Sequence, residues 1–225
     1  PNPGPTYLAL AEAGELTARV RGALWWERGR GVEQIPELVE RRDAWTAGTF
    51  ASTSVKIMQD GVAENFTAGM LEPYCDGHGH ATANDGLSFH DPAVLAEALP
   101  ELERLGFQAH FHAIGDRAVR ECLDAVAAAR AANGWIDSRP HISHIQVVHP
   151  ADRPRFRELG VAANMQMLWA VYEDQMVDLT IPFLGGADAA RVSWQYPFAS
   201  LAAAGAVLAA GSDWSVSTPD PWAAI

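Results

Sequence analysis

The sequence predicts an α/β fold built of parallel βα units. Short apolar runs of strand length recur along the 225 residues, amphipathic helical segments lie between several of them, and glycines stand at the helix exits. About six units can be counted, too many for a small sandwich. The runs are apolar on both faces, as expected when helices cover one side of a sheet and strand side chains fill the other.

The strands read in order are 19–26, 54–58, 107–112, 141–144, 161–165 and 206–210. After Asp91, Pro92 suits a first helical turn. Val94, Leu95, Ala98, Leu99, Leu102 and Leu105 then make one apolar face closed by Gly106, with Pro100 inside the segment as an expected kink. Asp116 is placed to cap a helix whose buried stripe is Val119, Cys122, Leu123 and Val126, ending near Asn133-Gly134. Asp152 starts a shorter helix with Phe156 and Leu159, stopped by Gly160. Pro197 opens another, with Phe198 and Leu201 facing inward, before Gly205. Residues 60–90 break the rhythm and read as a polar, Gly-rich loop. Pattern alone leaves a doubly wound sheet and a (β/α)8 barrel open. A barrel typically takes about 250 residues, so this chain would be one with parts missing.

Composition narrows the function classes. Lys and Arg number 16 against 28 Asp and Glu, a net charge of −12. Such a chain is repelled by phosphate backbones and anionic lipid, so neither nucleic acid nor a membrane is an expected partner. The two cysteines, Cys75 and Cys122, make no disulfide framework and fit a reducing, cytoplasmic setting. The longest apolar stretch, 198–211, is shorter than the roughly 20 residues a bilayer requires. No signal peptide opens the chain, and its abrupt ends suggest a piece of something longer.

The polar residues at strand ends carry the functional argument. In a parallel barrel, C-terminal strand ends share one mouth, so side chains distant in sequence converge there. His112 ends one strand, His144 ends the next, Asp213 follows the last, and Lys56 lies inside an apolar strand where a bare ammonium is costly. Taken singly, each has a plain structural role: a core histidine, a helix cap, a lysine reaching solvent or Asp60. Together they need a compensating charge, which a divalent metal supplies. His110 shares a strand face with His112 and reads as a partner one layer deeper. His78-Gly-His80 lies in the loop without a strand to present it.

These stretches resemble the amidohydrolase superfamily, in particular its branch of YtcJ-like hydrolases and N-substituted formamide deformylases (amidohydrolase family 3). The matching strings are Val55-Lys-Ile-Met-Gln-Asp-Gly61, Thr67-Ala-Gly-Met-Leu-Glu-Pro-Tyr74, His110-Phe-His-Ala-Ile-Gly-Asp-Arg-Ala-Val119, Arg139-Pro-His-Ile-Ser-His-Ile-Gln146 and Gly211-Ser-Asp-Trp-Ser-Val216, in the family's order. The resemblance implies a (β/α)8 TIM-type barrel with one or two divalent metals, usually zinc. It implies Lys56 as the strand-four lysine that can be carboxylated, His112 and His144 as the strand-five and strand-six ligands, and Asp213 as the strand-eight aspartate, both ligand and proton shuttle. The family's His-x-His pair on the first strand has no counterpart before Lys56. The expected chain is therefore one partial barrel domain, 1–225, lacking the first two strands, the last helix and the flanking β-sandwich, and inactive in isolation.

The expected reaction is hydrolysis of a C–N bond in a small amide- or formamide-type substrate by metal-activated water. His110 and Asp116 are candidates for holding ligands from behind, Asp116 against His112. Trp169 and Trp214, with Trp25 and Trp26, are candidates for walling the substrate pocket. A homo-oligomer is compatible with this reading. Two alternatives stand beside it: a non-catalytic barrel fragment acting as a binding module, and a metal-free barrel enzyme using Lys56 as a Schiff-base amine.

Overall fold

The structure is a computed structural model that describes residues 3–224. Its strands are β1 (Val20–Trp25), β2 (Thr46–Ala47), β3 (Phe50–Met58), β4 (Gln108–Ala113), β5 (His141–His144), β6 (Ala162–Met165) and β7 (Val207–Ala210). Its helices are α1 (Gly4–Glu12), α2 (Ile35–Ala44), α3 (Pro92–Arg104), α4 (Asp116–Asn133), α5 (Arg153–Leu159), α6 (Asp174–Leu179) and α7 (Phe198–Ala203). The sheet order is β1-β3-β4-β5-β6-β7, every neighbour parallel, with β2 an antiparallel hook on β3. A doubly wound sheet reverses its strand order at a switch point, whereas a barrel keeps chain order. No reversal occurs here, so the fold is an arc of a (β/α)8-type barrel. Among the described residues β1 and β7 each pair with one neighbour, which leaves the arc open.

The helices form where the sequence signals them. Asp91 accepts a hydrogen bond from Ala93 N and caps α3, which buries Leu95, Ala98, Leu99 and Leu102. The helix continues through Pro100 as one element rather than breaking there, and the Pro100 carbonyl accepts from Asn133 Nδ2 at 2.9 Å. α4 lays Val119, Cys122, Leu123 and Val126 against the sheet. Its N-cap is Gly115, not Asp116, whose side chain is engaged elsewhere. α3 and α4 close on the outward residues of the strands, Val55, Ile57, Ala109, Phe111 and Ile142, to form the main core.

The inward face corrects the expectation of apolar filling. Register aligns Lys56 with His110 and His141, and Met58 with His112, Ser143 and Asn164. This face is polar and internally bonded: Ser54 Oγ donates to Gln108 Oε1 at 3.0 Å, and Asn164 Nδ2 donates to Ser143 Oγ at 2.9 Å. Apolar letters in the strands mostly belong to the outer face, which period 2 separates from the inner one.

Residues 60–90 are not a loose loop. Ala63, Ala68, Met70 and Tyr74 join Ile114, Val147 and Leu184 in a second buried cluster over the C-terminal strand ends. The segment meets the long connection after β6, where Cys75 N donates to Phe183 O at 2.8 Å and Arg191 Nη1 donates to the carbonyls of Glu72 and Pro73 at 2.7 and 3.0 Å. The segment also meets the turn after β4 closely enough to require glycine there: a Cβ on Gly115 would lie 2.1 Å from the Gly69 carbonyl oxygen.

Candidate active site

Lys56, His112, His144 and Asp213 line one cavity of about 480 Å³ at the C-terminal ends of the strands. β3 supplies Lys56, β4 supplies His112, β5 ends in His144, and Asp213 follows β7. Thus residues separated by more than 150 positions share one surface because parallel strands all point their C-terminal ends to the same side.

Lys56 Nζ stands 3.2 Å from His110 Nε2 and forms no ion pair among the described residues. Burial lowers its pKa to about 8, and the nearby charge of Asp213 restores only part of the loss. His110 is one layer deeper, 2.9 Å from Ser143 Oγ, with its ring tilted by 39° against that of His141 at a centroid distance of 4.2 Å. Burial, reinforced by Lys56, depresses His110 to about 2.

The His112 ring meets His144 edge to face at 4.5 Å. Burial lowers His112 to about 4 and His144 to about 2, so both are neutral imidazoles with lone pairs available near neutral pH. Strand parity would point His144 to the core, since it pairs in register with Ala113. Its left-handed backbone, φ 78°, turns it into the mouth instead, and its N–H donates to Gln166 Oε1 at 2.8 Å. Asp213 is also left-handed, φ 58°. Burial raises its carboxyl above the usual range, while Lys56 and a hydrogen bond from the Trp169 side chain pull it back.

The remaining expectations divide. Trp169 lines the cavity. Trp214 does not, and it is 66% exposed; Trp25 is also exposed and Trp26 lies in the core. Asp116 is not the partner of His112: its Oδ1 accepts from Leu71 N at 2.9 Å. His112 Nε2 instead faces the Gly61 carbonyl at 3.0 Å and Asp60 Oδ1 at 3.5 Å. Burial pushes the Asp60 carboxyl up to about 7 against the pull of three backbone N–H groups. His80 is exposed and pairs with Asp76 at 3.0 Å, away from the cavity. Glu64, Glu173, Met176 and Tyr196 also line the cavity. Sequence reasoning missed them because Glu64, Glu173 and Tyr196 come from connections and Met176 from the short helix α6, where no periodicity marks a facing side. Asp60 had a readable signal, an acid two residues past the end of the strand and just before Gly61.

The donor set suits a divalent cation. Two neutral imidazoles, a carboxylate and an amine that carboxylation would convert to an oxygen ligand are the borderline donors such ions take. No three His, Cys, Asp or Glu side chains among the described residues already form a cage, so Lys56 or further groups would have to complete one.

A sequence model of the amidohydrolase family matches residues 5–225. The chain belongs to the amidohydrolase family. Curated relatives of this amidohydrolase chain include Protein LONG AFTER FAR-RED 3 of Arabidopsis thaliana, 34% identical over 170 residues that cover 74% of this chain and 27% of the relative. Another is the putative amidohydrolase YtcJ of Bacillus subtilis, 27% identical over 168 residues, 75% of this chain and 29% of the relative. The chain therefore spans less than a third of the length of either. Among solved structures, an uncharacterized metal-dependent hydrolase from Pyrococcus furiosus superposes with a TM-score of 0.75 at 23% identity, over 98% of this chain and 42% of that one. The shared fold is the barrel. No helix among the described residues is long and apolar enough to cross a membrane.

Proposed function

We propose that this chain carries the catalytic face of a metal-dependent hydrolase that cleaves an amide- or formamide-type C–N bond in a small molecule. The observation that carries the reading is the convergence of Lys56, His112, His144 and Asp213 on one cavity. His112, His144, Asp213 and a carboxylated Lys56 would hold one or two divalent cations, zinc being the ion these donors favour. A bound cation there supplies Lewis acidity and brings the pKa of water towards ~7.

The chain's own groups do the rest. Asp213, with its proton affinity raised by burial, takes the proton of the attacking water and delivers it to the leaving nitrogen. Neutral His112 and His144 keep their lone pairs directed at the site rather than blocked by protons. Met58, Val62, Ile114, Trp169, Val171 and Met176 give the cavity an apolar wall that suits an apolar amide and displaces water around the reacting bond. The two unpaired thiols, Cys75 and Cys122, support a reducing, cytoplasmic setting.

A lysine lowered to about 8 also suits a Schiff-base amine. Borohydride trapping with a carbonyl substrate separates the readings, because a carboxylated lysine forms no such adduct. The main test is His144→Ala and Asp213→Ala in the full-length protein. Turnover should fall by at least 10³-fold, on the order expected for a ligand or proton shuttle, with the thermal midpoint nearly unchanged. Near-normal rates would end the proposal.

A further inference from the structure

We propose that the cavity selects a substrate whose end remote from the scissile bond is a primary ammonium on an apolar stem, and that Glu64 and Glu173 are the residues that choose it. The amide at the other end rests on the hydrolase reading above; the preference for a cation does not. Both carboxylates line the same cavity as Lys56 and His112, but they reach it from different parts of the chain. Glu64 lies on the short helical turn Ala63–Asn65 of the roof, and Glu173 on the connection between β6 and α6. Neither has an ion-pair partner among the described residues. Thr180, itself buried, donates through Oγ1 to Glu64 Oε1 at 3.2 Å and fixes that side chain. Glu64 Oε2 and both Glu173 side-chain oxygens receive no hydrogen bond from the described residues.

The groups around them also accept. Gln146 lines the cavity and is 2% exposed. Its Nε2 donates to Gln195 Oε1 at 3.1 Å, while its Oε1 receives no hydrogen bond from the described residues. An acceptor so poorly reached by water gains from a donor on the ligand. Tyr196 joins this group: its N–H donates to the Gln146 carbonyl at 2.6 Å, and its ring lies on the cavity wall. Burial and the negative charges of Glu64 and Glu173 push its phenol above the usual range, so both carboxylates act on one ring. Carboxylates beside an aromatic ring suit an ammonium with three N–H donors. Val62, Val171 and Met176, close to the two acids in sequence, line the same cavity and would cover the methylenes. An alkylammonium uses both halves of this lining, whereas a bare metal ion uses only the charged half. Positive charge at the His112 end, from Lys56 or from a cation bound there, repels an ammonium and so fixes the substrate's direction. The net charge of −12 favours a cation over an anion from a distance.

Two measurements on the full-length protein test this. The first needs no turnover: calorimetric titration of the metal-free protein with hexylammonium, hexanol and hexanoate. Hexylammonium should bind about tenfold more tightly than hexanol, the gain of one charge-assisted hydrogen-bond set, and hexanoate more weakly than either. In the double variant Glu64→Gln, Glu173→Gln the advantage of hexylammonium over hexanol should shrink to within about twofold. The amide oxygen at position 64 still accepts from Thr180, so the turn is kept. The second is kcat/KM for the mono-formamide of hexamethylenediamine against N-formylheptylamine, which carries a methyl in place of the ammonium. The ratio should be about tenfold in wild type and close to one in the double variant. A folding defect lowers both substrates together and leaves the ratio alone. Equal binding of hexylammonium and hexanol by the wild type, or a preference that survives both substitutions, overturns the proposal. Ammonium preference in binding with no formamide cleaved would sink the hydrolase reading and leave the cation preference standing; cleavage with no ammonium preference does the reverse.

Discussion

Lys56 is the residue at which stability and function part company. Its amine is buried on the inner face without an ion-pair partner, and burial drags its pKa to about 8, so the folded state bears a desolvation cost that ordinary lysines avoid. Lys56→Met keeps the stem's volume and removes that cost. The variant should be more stable by on the order of 1 kcal/mol, a rise of about 2–4 °C in thermal midpoint at this chain length, while losing metal uptake and turnover. A calorimetric scan beside a metal titration checks both; a destabilised variant would mean that the Lys56–His110 contact contributes more than burial costs. His144 and Asp213 carry a related signature. Both sit at positive φ without being glycine, a conformation that non-glycine residues adopt at a cost and that clusters where geometry serves chemistry.

At the scale of elements, the strands and the helices with clear ends were legible. All six predicted strands overlap observed ones, because the outer-face residues that seal the core, such as Ile57, Phe111 and Ile142, are apolar whatever the inner face carries. β3 is longer than its predicted run: Phe50-Ala-Ser-Thr precede it, and Phe50 and Ala51 pair with Val20 and Arg21 of β1. The roof was not legible. Residues 60–90 look like solvated loop by composition, and their order comes from contacts with the connection between β6 and α7 more than 100 positions away. Arg191 is the pin between them. Arg191→Ala would strand the carbonyls of Glu72 and Pro73, costing about 1–3 kcal/mol, and loosen the wall that carries Val62 and Glu64. We expect a several-fold rise in KM with a smaller change in kcat, read by steady-state kinetics together with a urea melt. An unchanged KM would show that the roof does not shape the cavity.

For the molecule as a whole, the polar interior makes stability depend on pH. His110, His112, His141 and His144 are all driven by burial below the ordinary histidine range, to between about 2 and 4. The unfolded chain takes up these protons near pH 6.5 and the folded chain refuses them, so the unfolded state binds more protons and stability falls as pH drops below 6.5. Asp60, raised to about 7, acts in the opposite sense between its unfolded value and 7, as do Asp116 and Asp213 over ranges set by their own upward shifts. The four imidazoles with larger combined shifts outweigh them. In metal-free protein the urea midpoint should decline steadily from pH 6.5 to 5; a flat profile there would mean that the histidines are solvated rather than buried.

The sequence by itself determined the βα rhythm, the apolar outer face and the identity of the four side chains at strand ends, because these depend on period, local caps and the burial preference of each residue type. Tertiary structure decided between barrel and doubly wound sheet, since only the hydrogen-bonded order of strands distinguishes them. It also decided which polar groups stand behind the site. The Gly61 carbonyl rather than Asp116 backs His112, and a left-handed backbone rather than strand alternation aims His144. Both follow from where the chain turns after each strand, which pairwise spacing in a sequence does not encode.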